Sequence, residues 1–310
     1  MIRLQNIELT EDLFCPAETD ASDREKISRP TRSAFQDGWI RLKQNKGSVI
    51  ALAILLILVA LAFLGPILTK NNYYDTNYKA IFQTPNAEHW FGTDKFGRDE
   101  WSRVWYGTRI SLLIAVVAAA LDLVVGVTYG SISALLGGKV DSVMQRIIEV
   151  LIGIPNLIIV ILLMMIMPAG IGTLIIAMSI SGWVNMARLV RAEILKLKDQ
   201  EFVLAARILG TSNKQIILRH LIPNTVGVIV INTMFTIPSA IFTEAFLSFI
   251  GIGLQEPKAS LGVLINSGFQ VINSQVYLLF IPAVIIVLIM VCFSILGDGL
   301  RDAFDPRMRI

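Results

Sequence analysis

Residues 48–68, SVIALAILLILVALAFLGPIL, run without a single charged side chain. A helix rises 1.5 Å per residue, so about 20 apolar residues match the hydrocarbon thickness of a bilayer. Five more segments reach comparable length with few interruptions, at 107–136, 143–167, 171–189, 225–250 and 277–296. The chain of 310 residues is 54% hydrophobic and 16% charged, more apolar than one soluble core requires. An unpaired backbone amide is expensive in lipid, so spans of this length must be helices rather than open strands. The expected fold class is an all-α integral membrane protein with six transmembrane helices.

An even number of spans puts both termini on one side. Placing them in the cytoplasm puts there the segments before 48, from 137 to 146, from 188 to 224 and after 297, and with them roughly 20 of the 27 Lys and Arg residues. The opposing loop 69–106 carries Lys70, Lys79, Lys95, Arg98 and Arg103, balanced by Asp75, Glu88, Asp94, Asp99 and Glu100. Trp101, Val104 and Trp105 near its end recur at helical spacing and predict a short interfacial helix. The resulting plan is an N-terminal cytoplasmic extension (1–47), a first span (48–68), an extracytoplasmic loop (69–106), a five-helix core (107–297) containing a cytoplasmic loop (190–224), and a cytoplasmic tail (298–310). No cleavable signal peptide is expected, because the first residues lack an apolar h-region.

Two cysteines, Cys15 and Cys292, and two distant histidines, His89 and His220, exclude a disulfide framework and argue against a metal centre. A net charge of +3 gives no reason to expect nucleic acid. No G-x-x-x-x-G-K-[ST] phosphate loop occurs, and Gly137-Gly138-Lys139 lacks its flanking residues, so no nucleotide site is expected in this chain. An integral-membrane enzyme would need a convergent nucleophile, base or metal cluster, which the sequence does not offer.

The most informative segment lies between the fourth and fifth spans. From Glu201, the residues Phe202, Ala205, Ala206 and Leu209 make an apolar stripe, with Arg207 off it. Gly210 stands where a helix C-cap would, Ser212 and Gln215 have capping-box spacing for a second helix, and Pro223 closes or kinks that helix. The expected element is helix, sharp turn, helix, exposed to the cytoplasm. Composition alone also fits an amphipathic linker resting on anionic lipid.

The run VLAARILG, residues 203–210, resembles the "EAA" loop of ABC importer permeases, in its V-x-A-A-R-x-x-G form, with Leu204 where the namesake Glu usually stands. HWFGTDKFGRD resembles the H-P-F-G-T-D-x-x-G-R-D signature of the oligopeptide, dipeptide and nickel permease branch, with Trp90 in the proline position. EAFLSFIGIGL resembles the E-x-x-L-S-F-L-G-L-G segment, and LGDGLRDAFDPRMR is similar to the family's ending. The resemblance covers most of the chain after residue 85. It implies the type I ABC importer permease fold and a subunit of the bacterial cell membrane without ATPase activity of its own. It also implies a homologous second permease, two cytoplasmic ATPase subunits that bind ATP and Mg, and an extracytoplasmic peptide-binding protein. Glu201, Ala205, Ala206, Arg207, Gly210 and Pro223 would then form the coupling surface for the ATPase, and peptide would pass between the two permeases.

Charged groups inside spans default to functional hypotheses. Asp122 either lines the translocation path or pairs inside the bundle, and the same two readings apply to Glu244. Arg146 and Glu149 read as an interfacial ion pair. Pro155 and Pro238 permit bends in the third and fifth spans. A self-contained ion-coupled transporter is a rival class, but no inverted internal repeat is evident.

Overall fold

The computed structural model describes residues 34–69, 71–168 and 170–304. Cys15, Lys70, the first 33 residues of the N-terminal extension and the end of the tail lie outside them. The described residues form helices α1 (Ala34–Gln44), α2 (Lys46–Leu68), α3 (Glu100–Leu136), α4 (Gly138–Gly153), α5 (Asn156–Ile166), α6 (Ile171–Leu197), α7 (Glu201–Ile208), α8 (Asn213–Gln215), α9 (Ile222–Phe249), α10 (Leu261–Gln270) and α11 (Tyr277–Phe304). Five are long and apolar enough to cross a membrane, or six if α4 and α5 count as one bent span. The all-α reading therefore holds.

Four details differ from the sequence expectation. The third span is not one helix: α4 and α5 meet at 80°, where Pro155 removes a backbone donor. Trp101 to Tyr106 belong to no separate interfacial helix but to the first turns of the 37-residue α3, whose N-cap is Asp99. Part of the N-terminal extension is helical, as α1, and packs against α11. The tail does not begin at 298 as a separate segment, because α11 runs on to Phe304.

Apolarity does not tell which face of a span turns inward, since α2 is apolar all round. Its buried face is Ser48, Ala51, Leu55, Leu58, Ala62 and Gly65, alternating steps of three and four, while Ile50, Leu56, Phe63 and Ile67 face outward. Small residues mark the inward side because lipid is as apolar as leucine and helix association depends on close packing. A β-carbon at Gly65 would collide with Trp105 of α3. Pro66 cannot donate to the Ala62 carbonyl, and Arg109 of α3 does so instead, from Nε at 3.1 Å and Nη2 at 3.0 Å.

α3 is the central helix, packed along α2, α6 and α9. Its Gly126 and Gly130, four residues apart, let it lie against α6; a β-carbon at either would strike backbone atoms of that helix, at Trp183 and Ala187 respectively. One large apolar cluster joins α2, α3, α5, α6, α9, α10 and α11. A second joins Val127 and Ala134 of α3, Val190 and Ile194 of α6, Val203 of α7, Ile216, Leu221 and Ile229.

Candidate translocation path and coupling surface

Between α3, α5, α6 and α9 lies a cavity of about 260 Å³ lined by Asp122, Asn156, Asn185, Asn232, Thr236, Ser239 and Thr243, with Ala118, Met178 and Phe235 among the apolar wall residues. Asp122 is 7% exposed and its Oδ1 has no hydrogen-bond partner. Gly182 of α6 makes room for that carboxylate, since a β-carbon there would overlap it. Asn156, Asn185 and Ser239 are exposed on the flank of the bundle. Of these residues, only Asp122 stands out in the sequence as a charge inside a span. The available signal was Asn232, Thr236, Ser239 and Thr243, a polar stripe at helical spacing inside an apolar span.

Glu244 directly follows Thr243 at the end of that stripe but is turned into the protein, at 0% exposure. Its carboxylate accepts from Ser111 at 2.7 Å and from Ser248 at 3.0 Å, while the Leu261 amide donates to Ser111 at 3.2 Å. It ties α3, α9 and the start of α10 together and does not line the cavity. Of the two readings left open for it, pairing inside the bundle fits this geometry.

The H-x-F-G-T-D-x-x-G-R-D stretch folds into a knot of buried ions. Asp94 Oδ1 accepts from the Phe96 and Arg98 amides at 2.8 and 2.9 Å, and Asp94 Oδ2 accepts from Arg98 Nε at 2.7 Å. Arg98 reaches on to Glu256 at 2.9 Å, joining the loop before α3 to the loop after α9. Arg103, 0% exposed, sits 3.5 Å from Asp94, 3.8 Å from Glu100 and 3.7 Å from Glu256. His89 and Asp99 approach to 2.8 Å, and Asp99 also caps α3 by accepting from the Ser102 amide. Burial pushes the Glu256 carboxyl up, but Arg98, Arg103 and Lys95 together outweigh it and hold that group below the ordinary carboxylate range.

At the end that carries α7, the helix and sharp turn form as the spacing predicts. Gly210 has φ +78°; its amide donates to Arg207, and that of Thr211 donates to Ala206, the paired bonds of a Schellman cap. Ser212 and Gln215 form a complete capping box. The apolar stripe, however, is not the buried face. Val203 is buried in the second cluster and Ala206 is buried beside it on α7, whereas Phe202, Leu204, Ala205, Ile208 and Leu209 are exposed, Ile208 to 87%. Nor does Pro223 close the second helix: the chain is helical from Asn213 to Phe249, and Pro223 stands in the first turn of α9. A π-helical stretch, Ile216–Leu221, immediately precedes it. The wider turns accommodate a residue that has no amide and whose ring crowds the preceding carbonyls. Asp141 of α4 and Arg191 of α6 add a bidentate pair here, at 2.7 and 2.5 Å, which the sequence reading did not foresee. Arg146 and Glu149 do pair, at 2.6 Å, on an exposed surface.

The described residues thus combine a polar-lined cavity inside an apolar helical bundle with an exposed apolar helix that leads into a span. Residues 126–310 match the family model for the binding-protein-dependent transport system inner membrane component, and residues 33–85 match the N-terminal transmembrane domain of oligopeptide transport permease C. The chain belongs to this family of ABC importer permeases. The second match reaches back to residue 33, further than the sequence resemblance. The chain is 44% identical over 306 residues to the oligopeptide transport system permease protein OppC of Bacillus subtilis, covering 99% of this chain and 100% of the relative. It is also 44% identical over 306 residues to the dipeptide transport system permease protein DppC of the same organism, covering 98% and 96%, and 41% identical over 295 residues to OppC of Escherichia coli K12, covering 94% and 98%. Among solved structures, the MetNI methionine ABC transporter in an inward-facing conformation aligns with a TM-score of 0.54 at 17% identity, covering 65% of this chain and 96% of that one, a likeness of fold alone.

Proposed function

We propose that this chain is one of two membrane-spanning subunits of an ATP-driven peptide importer of the bacterial plasma membrane. It carries peptide along the cavity between α3, α5, α6 and α9, and takes its motion from separate ATPase subunits that bind ATP and Mg and dock on α7. The observation that carries the reading is the pairing of two surfaces that are costly as they stand. Asn156, Asn185 and Ser239 are polar groups exposed on the side of a transmembrane bundle. Ile208 and Leu209 are apolar groups fully exposed at its end. A homologous second permease would wall off the first as a water-filled path, and an ATPase groove would cover the second. An extracytoplasmic binding protein would deliver the peptide, and both termini lie in the cytoplasm in this arrangement.

Relatives named for oligopeptides and for dipeptides match equally well. The match of residues 33–85 to an oligopeptide permease domain favours oligopeptides, and uptake of peptides of graded length by the reconstituted importer decides it.

The role of α7 is tested at Gly210, where no atom beyond its immediate chain neighbours lies within 4 Å of the position a β-carbon would take, among the described residues. Gly210→Ala introduces only the strain of a positive φ, about 1–2 kcal/mol. Gly210→Trp adds bulk that projects from the docking surface. Peptide-stimulated ATP hydrolysis should survive in the first variant and be lost in the second, with membrane insertion intact in both. Normal coupling in Gly210→Trp would overturn the assignment.

A further inference from the structure

The walls of the cavity differ in what they can offer a ligand. Thr236 Oγ1 donates to the Asn232 carbonyl at 3.0 Å, Ser239 Oγ to Phe235 at 3.2 Å and Thr243 Oγ1 to Ser239 at 2.8 Å, each back along α9. Each hydroxyl proton is thereby committed, which leaves the oxygens facing the cavity as acceptors. Asn156 Oδ1 already accepts from Ser181 at 2.6 Å, so the donors of this wall are the side-chain amides of Asn156, Asn185 and Asn232. No Lys, Arg or His lines the cavity. Asp122 lines the same cavity as this row of α9 acceptors and is more than nine-tenths buried, with Oδ1 unpartnered and with Gly182 leaving it room. A buried carboxylate without a donor is costly and needs a cation or a proton. An ammonium group has three donors and no acceptor, the complement of Asp122 and of the α9 hydroxyl row.

We propose that Asp122 is the specificity-determining residue of the path and receives the N-terminal ammonium group of the passing peptide, while Thr236, Ser239 and Thr243 accept from its first backbone amides. The three hydroxyls span roughly 10 Å along α9, the reach of about three extended residues. Recognition through the terminal ammonium and backbone amides is indifferent to side chains, as a permease for peptides of mixed sequence requires. This assignment rests on the importer reading given above.

The test uses the reconstituted importer, with its partner permease, ATPase subunits and binding protein. Two peptides of one sequence are supplied at concentrations that saturate the binding protein, one with a free N-terminus and one with that amine replaced by hydrogen. The unmodified importer should move the free peptide about tenfold faster than the des-amino one, a typical loss for one charge-assisted contact. Asp122→Asn should collapse that ratio to near one, and Asp122→Glu should restore most of it. An unchanged ratio in Asp122→Asn overturns the proposal, as does an equal loss of both peptides, which marks a purely structural carboxyl.

Should Asp122→Asn fail to assemble, carbodiimide labelling of Asp122 in the unmodified complex, read by mass spectrometry, replaces it. The free peptide should protect the carboxyl severalfold and the des-amino peptide should not, while equal labelling in both overturns the proposal. Failure of the importer reading has a different mark: no ATP-dependent uptake of either peptide by the unmodified complex.

Discussion

The two ends of the bundle solve opposite problems. At one end, the loop before α3 and the loop after α9 are bound by a chain of ions, Asp94 to Arg98 to Glu256, around Arg103 at 0% exposure. At the other end, α7 is anchored by Val203 and Ala206 and otherwise shows Phe202, Leu204, Ile208 and Leu209 to the outside. The first end pairs its charges within the chain, although the Arg103 nitrogens stand 3.5 to 3.8 Å from their carboxylates and make no hydrogen bond there. The second leaves apolar surface uncovered, a state that makes physical sense when a partner completes it.

Breaking the ion knot should have the largest effect. Arg103→Met strips the positive charge from between Asp94, Glu100 and Glu256, and removing one partner of a buried ionic group costs about 3–5 kcal/mol. The thermal midpoint of the detergent-solubilised chain should fall sharply; an unchanged midpoint would erase the contrast between the two ends. Asp141→Asn at the other end removes one half of a partly exposed bidentate pair with Arg191, and a loss of only about 1 kcal/mol is expected in the same measurement.

Acid should act on the knot more gently. Glu256 has a lowered native pKa, so its contribution is present above the ordinary carboxylate value and is lost as pH falls through the lowered one. Proteolysis of the loop 71–99 should therefore accelerate only in that acidic window, and Glu256→Gln should flatten the dependence. Ile208→Ser should be nearly silent for stability, within about 0.5 kcal/mol, because the side chain touches little of its own chain. A large loss there would mean that α7 holds the bundle rather than receives a partner.

Much of this architecture is legible in the sequence because apolar length is read locally. The spans, the Gly210 turn and the Ser212–Gln215 capping box all depend on neighbours a few residues apart. The knot is not legible: Arg98 and Glu256 are 158 positions apart, and Ser111 and Glu244 are 133 apart. A charge inside or beside a span announces itself without announcing its partner, so Asp122 and Glu244 look alike in sequence. One is an unpartnered carboxylate in a cavity and the other a staple between helices. The apolar stripe of α7 is legible in the sequence, but which of its residues turn inward is not. Of Phe202, Ala205, Ala206 and Leu209 only Ala206 is buried, and periodicity alone does not say which apolar side faces the chain's own core. The break at Pro155 is foreseeable as a bend, but its 80° depends on how α5 packs against α6.

On the proposed reading, ATP-driven motion enters this chain at α7. Hydrogen exchange along the permease complex, with and without its ATPase subunits, tests that most directly. Protection should appear over residues 201–215 when the ATPase subunits bind, with the loop 71–99 unchanged. Bound ATPase subunits that leave 201–215 exchanging freely would contradict it.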